Sequence, residues 1–265
     1  MVMDVGGWAA PGPDRLDDDD LERYSRQLLL PGFGEHEQIH LGRSRVAIIG
    51  CGGLGGPAAL HLAGAGIGRL LLIDPDRVGL DNLHRQVAFR TPDIGRLKVD
   101  ALRDALLTLN PKVTVVVRPR QLLPASLDRV LLGHDLVLEC SDQPRLKFAV
   151  NDWCVNRGVP LVVGGAVGWA GQVTSIVPSG PCFRCLFRGP SGEQEQSCRT
   201  AGVMGPLVGI VGALQALEGV RLLTGPRPQG GRFLDFDGRS GRWRSLRLTR
   251  DRSCSAHQAG AGVRP

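Results

Sequence analysis

Residues 45–55 read Arg-Val-Ala-Ile-Ile-Gly-Cys-Gly-Gly-Leu-Gly, an apolar run that ends in a cluster of glycines. The apolar run predicts a buried strand, and residues 53–66, rich in Ala, Leu and Gly, predict a helix packed closely on it. Glycines between a strand and a helix let the backbone approach phosphate oxygens, which the helix N-terminus attracts through its N–H groups and dipole. We therefore expect a nucleotide-binding turn made by Gly50, Gly52, Gly53, Leu54 and Gly55.

A carboxylate follows at the spacing that such turns require. Residues 69–74 read Arg-Leu-Leu-Leu-Ile-Asp, which predicts a second buried strand ending in Asp74. An acidic residue about 20 positions after the glycines, at the end of the next strand, accepts hydrogen bonds from the ribose hydroxyls. This motif fits NAD, FAD or ATP, so it predicts a nucleotide but not a reaction.

Strands and helices alternate along the following residues. The predicted helices cover 99–109, 148–157 and 204–223, and the predicted strands cover 113–117, 135–140, 161–165, 172–177, 232–236 and 241–249. This pattern predicts an α/β fold with a Rossmann-like, doubly wound, mainly parallel sheet that is extended by antiparallel strands. At the start of the chain, residues 1–20 are expected to form a flexible tail. The four aspartates at 17–20 precede an amphipathic stretch over 21–30 and would cap a helix there.

The composition limits where the protein acts. Residues 1–20 lack a basic region followed by an apolar one, and no apolar run reaches the roughly 20 residues of a membrane span. Seven cysteines, an odd number, favour a reducing compartment over a disulfide framework. We therefore expect a cytoplasmic protein that does not contact the membrane. The net charge of +6 decides little, because lysine occurs only at 98, 112 and 147 and arginine supplies the remaining cations.

The residues after Asp74 distinguish between the possible nucleotides. The stretch 74–86, Asp-Pro-Asp-Arg-Val-Gly-Leu-Asp-Asn-Leu-His-Arg-Gln, resembles the signature of the ThiF/MoeB/HesA family, relatives of the ubiquitin-activating enzymes. The resemblance extends from Leu21 to about His257. The further matching motifs are Arg23-Tyr-Ser-Arg-Gln27, Lys98, Ser141-Asp142, Gly171-Gln-Val173, Cys182-Phe-Arg-Cys185 and Cys198-Arg-Thr-Ala-Gly-Val203.

The resemblance implies an ATP-dependent adenylyltransferase. Such an enzyme forms an acyl-adenylate on the C-terminal glycine of a ubiquitin-like sulfur-carrier protein ending in Gly-Gly, and releases pyrophosphate. The physical chemistry agrees, because a C-terminal carboxyl with a pKa near ~3.5 is already ionised at neutral pH and needs no general base. The site must instead supply cations that bring this anion to the triphosphate and stabilise the reacting phosphorus.

The resemblance also implies roles for individual residues. Asp74 would bind the ribose, and Asp76 would lie near the reacting phosphate. Asp142 would hold Mg²⁺, and Arg26 would reach the site from the other subunit of a homodimer. The residues expected to contact the phosphates and the rest of the nucleotide are Asn82, Arg85, Gln86 and Lys98. The chain departs from the family at Gln143, where an asparagine usually follows the metal-binding aspartate.

Four of these residues have simpler alternatives. Arg85 and Arg26 could be ordinary surface cations, Lys98 could begin a solvated helix face, and Asp142 could be a helix N-cap. Only their joint fit to one reaction raises them above these alternatives.

The cysteines predict a second site. Cys182-x-x-Cys185 is half of a tetrahedral zinc site. Family members commonly carry a second such pair near the C-terminus, where this chain reads Cys254-Ser-Ala-His257, so we expect His257 to replace the fourth thiolate. The site would be a structural zinc knuckle remote from ATP. The alternative is that His257 belongs to a mobile tail and that zinc is weakly held or absent.

Cys198 is the candidate for covalent sulfur chemistry in the resemblance. The neighbouring Arg199 would lower the pKa of its thiol. The alternative is a thiol that adenylation does not need. Cys51, Cys140 and Cys154 are expected to be small buried residues. Because the chain ends soon after His257 with no rhodanese-like region, a separate sulfur donor is expected.

The resemblance divides the chain into three parts. They are the tail over 1–20, an ATP-binding portion over 21–178, and a zinc-binding and carrier-binding portion of the same domain over 179–265.

Two other functions compete with adenylation. An NAD-dependent dehydrogenase would explain the glycine turn and Asp74 but would leave Asn82, Arg85, Lys98 and the paired cysteines without a role. A nucleic-acid-binding module could use the arginines at 242, 244, 247, 250 and 252, although these could equally form a solvated face or a docking surface for an acidic carrier. We consider nucleic acid the weaker of the possible partners.

Overall fold

An eight-stranded sheet organises the protein, seen in a computed structural model that describes residues 12–178, 180–187, 189, 202–225 and 231–258. The strand order is β3-β2-β1-β4-β5-β6-β7-β8. The strands are β1 (Arg45–Ile49), β2 (Arg69–Ile73), β3 (Thr114–Arg118), β4 (Leu136–Glu139), β5 (Leu161–Val167), β6 (Ala170–Ile176), β7 (Arg232–Asp237) and β8 (Arg242–Arg247). Each strand lies where the sequence predicts one, within a few residues at the ends.

The helices described in these ranges alternate with the first strands. They are α1 (Asp18–Arg23), α2 (Ser25–Leu28), α3 (Glu35–Arg43), α4 (Gly55–Gly64), α5 (Lys98–Leu109), α6 (Leu127–Leu131), α7 (Pro144–Arg157), α8 (Phe183–Leu186), α9 (Gly205–Thr224) and α10 (Ser255–Gln258). Neighbouring strands from β3 to β5 pair in parallel, whereas β5 to β8 pair antiparallel. The predicted doubly wound sheet with an antiparallel extension is confirmed.

The parallel strands are buried on both faces. In β1, Val46 and Ile48 join the core that α4, α5 and α9 cover, while Ala47 and Ile49 join the core under α6 and α7. Parallel strands read as continuous apolar runs because helices cover both of their faces. The order in which strands are added to the sheet reverses at β1, which has β2 on one side and β4 on the other. Open α/β sheets bind ligands at the carboxyl ends of the strands beside such a point.

The N-terminal helices differ from the sequence expectation. α1 begins at Asp18, inside the expected tail, because the Asp17 carboxylate caps it by accepting from the Asp20 N–H at 2.8 Å. Lys112 fixes this helix by donating to Asp17 and Asp20 at 2.6 and 2.8 Å. The stretch 21–30 is two short helices rather than one, and the break falls at the buried Tyr24, whose hydroxyl accepts from Asn110.

The long apolar helix α9 requires a correction. With 20 residues and a mean hydropathy of 1.5, it has the length and composition of a membrane span, which the sequence was expected to lack. Half of its most apolar window is buried inside the protein, and it packs on α4, β5 and β6. Core helices of soluble proteins have the same composition, so this helix is weak evidence for a membrane.

Candidate active site

A pocket of about 1000 Å³ opens at the carboxyl ends of β1, β2 and β4. The structure brings together here nearly all the residues that the sequence predicts for the nucleotide. They are Gly50, Gly52, Gly53, Leu54, Asp74, Asp76, Asn82, Arg85, Gln86, Lys98 and Asp142. Gly55 lies behind this lining as the first residue of α4.

Close backbone approach explains the glycines of the turn. Gly50 has a φ of +87°, in the left-handed region, and a Cβ there would lie 2.9 Å from the Ser141 nitrogen. A Cβ at Gly55 would overlap the carbonyl oxygen of Gly50. These contacts hold the end of β1 against both the start of α4 and the residues after β4, so the turn has little freedom to change.

Asp74 is held rigidly at the end of β2. Its Oδ2 accepts from the Cys51 N–H at 2.7 Å and its Oδ1 accepts from the Asp76 N–H at 2.8 Å. The side chain is buried, and burial raises its pKa while these two hydrogen bonds oppose the increase. The carboxylate therefore links the glycine turn to the second strand and faces the pocket.

Cationic and amide groups form the next wall of the pocket. The Lys98 side chain is 8% exposed and donates to Asp76 Oδ2 at 2.9 Å. Arg85 donates to the Asp81 carbonyl at 2.8 Å, and Asn82 accepts from the Gly79 N–H at 3.3 Å. The Oε1 atom of Gln86 is buried and lacks a hydrogen-bond partner among the described residues, which leaves an acceptor for a ligand or a water molecule.

Asp142 follows β4 and is exposed in the pocket. Beneath it lies a pair that the sequence analysis missed, the fully buried Glu139 and the ammonium of Lys147, in direct contact. Burial raises the pKa of Glu139, and the charge of Lys147 opposes this. Lys147 is one of three lysines in an arginine-rich chain. The rarity of lysine is the sequence signal that could have identified Lys147 as a residue with a specific role.

Gln143, where the sequence departs from the family pattern, has a hydrogen-bond partner in the pocket. Gln121, which follows β3, donates through Nε2 to Gln143 Oε1 at 3.2 Å, and both residues line the pocket. An asparagine would place its amide one methylene closer to the backbone of the turn. The longer side chain thus spans from the end of β4 to the segment after β3.

A second cluster forms where α8 and α10 pack against α7. Ligand atoms of Cys182, Cys185, Cys254 and His257 all lie within 4.8 Å of one another. Cys182 Sγ is 3.9 Å from Cys185 Sγ and 3.6 Å from Cys254 Sγ, and Cys185 Sγ is 3.5 Å from His257 Nε2. Burial raises the pKa of the Cys182 thiol to about 12 and lowers that of His257. A thiolate at Cys182 therefore needs a nearby cation, whereas His257 favours the neutral form that can bind a metal.

The predicted catalytic residue Arg26 lies outside the pocket of this chain. Arg26 is exposed on α2 and does not line it. Cys198 lies outside the described residues. Cys51, Cys140 and Cys154 are buried free thiols, as the sequence predicts.

Comparison with known proteins identifies the family. The profile of the ThiF family matches residues 24–256, almost the whole chain. The chain belongs to the ThiF family. The match begins at Tyr24 and ends beside the last residues of the metal-site cluster, so it includes both the nucleotide pocket and the cysteines.

Two relatives of this ThiF-family protein are similar over nearly their full lengths. The sulfur carrier protein ThiS adenylyltransferase of Escherichia coli K12 is 44% identical over 241 residues, which are 90% of this chain and 96% of the relative. The molybdopterin-synthase adenylyltransferase of the same strain is 40% identical over 242 residues, covering 90% and 97%. Among solved structures, that of E. coli MccB with MccA-N7isoASN has a TM-score of 0.79 at 24% identity, covering 88% of this chain and 74% of that one. At this identity, the structural likeness shows that the two chains share a fold and no more.

Proposed function

We propose that this protein is an ATP-dependent adenylyltransferase that activates the C-terminal glycine carboxylate of a ubiquitin-like sulfur-carrier protein. The observation that carries the proposal is the pocket itself, where a glycine turn, the Asp74 carboxylate, the cations Arg85 and Lys98 and the exposed Asp142 carboxylate face one space. The two E. coli relatives are adenylyltransferases by name and support it. The dehydrogenase alternative gives Lys98, Arg85 and Asp142 no role.

ATP would enter with its ribose against Asp74 and its phosphates over the glycine turn, at the N-terminus of α4. N–H groups and the helix dipole favour phosphate there. Asn82, Arg85 and Lys98 would hold the phosphates. In the structure Lys98 and Asp76 neutralise each other at 2.9 Å, so the nucleotide would compete with Asp76 for the ammonium.

The carrier's carboxylate would attack the α-phosphorus. One oxygen–phosphorus bond forms to give the acyl-adenylate, and the bond to the pyrophosphate oxygen breaks. The main barrier is the repulsion between two anions, which Lys98 and Arg85 reduce by charge. Asp142 fits a divalent cation because its carboxylate is exposed in the pocket beside the phosphate turn, and carboxylate oxygen is the ligand that Mg²⁺ prefers. Mg²⁺ bound there would neutralise charge on the phosphates.

Arg26 would act on a second copy of the chain. It is exposed on α2, outside the pocket of its own subunit, which fits a side chain delivered to a partner's site in a homodimer. Such an arginine would add a further cation at the phosphates, so each site would be complete only in the dimer.

The carrier would dock beside the antiparallel strands. Phe187 lines the pocket, and its ring lies 6.3 Å from that of Phe233 on β7. Leu246 pairs with Phe233 across β7 and β8 and is half exposed, and Arg244 lies opposite Asp235. An apolar surface flanked by arginines suits a carrier with an acidic face.

The cysteine cluster would hold a structural zinc ion. Tetrahedral zinc with ligand sulfurs at about 2.3 Å requires sulfur–sulfur separations of about 3.8 Å. The observed separations of 3.6 and 3.9 Å fit this requirement.

The sulfur for the activated carrier would come from a separate donor, with Cys198 as a candidate for the covalent step. These steps suit a reducing cytoplasm.

Exchange of radiolabelled pyrophosphate into ATP tests the proposal, using a panel of carriers that end in Gly-Gly. We expect exchange with one carrier, abolished when its last glycine is removed and lowered at least about 100-fold by Asp142→Ala. Asp128→Ala, which removes a carboxylate on α6, is the matched control and should exchange like wild type. Absence of exchange with every carrier, together with tight NAD binding, would refute adenylation and favour the dehydrogenase.

A further inference from the structure

A buried ion pair lies directly below the residues that end β4. The side chain of Glu139 is fully buried, and Lys147 on α7 donates from Nζ to both Glu139 Oε2 and the Gly164 carbonyl, the latter at 2.8 Å. Burying two charges costs free energy that the pair regains only when further hydrogen bonds satisfy both groups. These contacts join β4, α7 and β5, so the position of the carboxylate is fixed from three elements.

The same carboxylate holds the turn that carries Asp142. Glu139 Oε1 accepts from the Ser141 N–H at 3.2 Å and from the Ser141 hydroxyl. The Ser141 oxygen in turn accepts from the Gln143 N–H at 3.3 Å. The backbone N–H groups on both sides of Asp142 are thereby tied to one buried carboxylate.

The opposite face of β4 is also fixed. Gln215 on α9 is buried and donates to the backbone carbonyls of Glu139 at 3.1 Å and Val162 at 3.4 Å. Gly164 lies so close that a Cβ there would overlap the Gln215 amide. With the strand held from both faces, the Ser141 hydroxyl is the link between a rigid support and the exposed Asp142.

We propose that Glu139 and Ser141 are positioning residues that hold the Asp142 carboxylate in the orientation needed to bind the divalent cation of MgATP. The inference rests on the proposed function. The decisive group is the Ser141 hydroxyl, which connects the Glu139–Lys147 pair to the turn that carries Asp142. An ion pair with only a structural role would not need that connection. Groups that orient a metal ligand through hydrogen bonds typically change metal affinity about 10–100-fold.

Ser141→Ala and Ser141→Thr are the matched variants for the test. Alanine removes the hydroxyl and leaves the Glu139–Lys147 pair intact, while threonine keeps the hydroxyl. Binding is measured by titrating Mn²⁺, a carboxylate-binding substitute for Mg²⁺, into enzyme saturated with a non-hydrolysable ATP analogue, with detection by electron paramagnetic resonance. We expect the alanine variant to bind Mn²⁺ about tenfold more weakly and threonine to restore the affinity. The melting temperature of the alanine variant should fall by no more than about 5 °C, because Glu139 keeps its contacts with Lys147 and the Ser141 N–H.

Several outcomes would overturn the inference. They are equal Mn²⁺ affinity in the alanine variant and wild type, a loss that threonine does not restore, or a loss accompanied by general destabilisation. Wild-type pyrophosphate exchange measured in parallel separates this test from that of the proposed function. If the wild type catalyses exchange while the alanine variant binds Mn²⁺ normally, only the positioning role fails. If Mn²⁺ binding follows the expectation but no carrier supports exchange, only the adenylation proposal fails.

Discussion

The parallel end of the sheet, with β1, β2 and β4, and the antiparallel end, with β7 and β8, differ in how far their strands are buried. Every residue of β4 is buried, as are four of the five in β1 and in β2, whereas β7 and β8 contain no buried residue. The parallel end has helices on both faces, so its functional groups project from strand ends and turns. The antiparallel end leaves side chains along whole strands accessible.

This difference separates two kinds of specificity. At the parallel end the backbone makes the site, and small changes propagate into packed glycines and buried carboxylates. At the antiparallel end alternating side chains such as Trp243 and Arg244 form a surface that can change without disturbing a core. We infer that the first end recognises a constant ligand, the nucleotide, and the second a partner that differs between proteins of one fold.

The largest effect should separate two lysines. Lys98→Ala removes the proposed phosphate-binding cation and should lower pyrophosphate exchange about 10³-fold. Lys112→Ala removes a partly exposed ion pair at the N-terminal helix and should cost at most about 1 kcal/mol of stability with little change in exchange. The measurement is the initial rate of exchange at saturating ATP and carrier. Equal losses in the two variants would contradict the localisation of catalysis at the carboxyl ends of the parallel strands.

Metal removal should test whether the cysteine cluster and the nucleotide pocket are independent. A metal bound by Cys182 and Cys254 cross-links residues 72 positions apart, which is worth about 4 kcal/mol by loop-closure entropy. Chelation should therefore lower the melting temperature by about 10 °C. ATP binding, measured by calorimetry at low temperature, should persist. If ATP affinity falls together with the metal content, the cluster and the pocket act as one unit.

A matched pair of glycines in α4 should show how tightly the turn is built. Gly55→Ala forces a Cβ onto the Gly50 carbonyl and should destabilise the protein by roughly 1–3 kcal/mol while abolishing ATP binding. Gly64→Ala, exposed at the end of the same helix, meets its nearest neighbour at 3.9 Å and should be neutral or stabilise by up to about 1 kcal/mol. Urea denaturation and ATP titration measure both. Normal ATP binding by the Gly55 variant would disprove the steric argument.

The smallest effect should be a pH dependence confined to the parallel end. Burial lowers the pKa of His134 below its ordinary value of 6.5, so the unfolded chain binds this proton more readily than the folded one. The free energy of unfolding should consequently fall as pH drops below about 6.5, by at most about 1.4 kcal/mol per pH unit. His134→Gln should reduce that slope in urea denaturation series at several pH values. An unchanged slope would assign the effect to other groups.

The sequence predicts the parallel end well because its signals are local. Residues 45–55 and Asp74 carry strand, turn and ligand chemistry in contiguous stretches, and the structure places Gly50, Gly52, Gly53, Leu54 and Asp74 together in the pocket. The Glu139–Lys147 pair was missed because its meaning depends on a contact between a strand and the following helix, and on Gly164 of a third element. The start of α1 was placed too late, because the capping role of Asp17 was not distinguished from that of its neighbours.

The metal-site cluster shows an intermediate case. The paired cysteines at 182 and 185 are visible in the sequence, but their meeting with Cys254 and His257 depends on how β7 and β8 return the chain. The family pattern supplied that pairing, and residue spacing alone could not.

The chain has only three lysines, and each is bound to a carboxylate in a different part of the molecule: Lys98 to Asp76, Lys112 to Asp17 and Asp20, and Lys147 to Glu139. An amine-selective acylating reagent would therefore have three lysine side chains to modify, and each ion pair would slow the acylation of its own lysine. After brief labelling, a single peptide map would report nucleotide occupancy through Lys98, release of the N-terminal helix through Lys112 and opening of the sheet interior through Lys147. Because the sequence uses arginine in place of lysine elsewhere, these three conformational changes would give separate mass shifts.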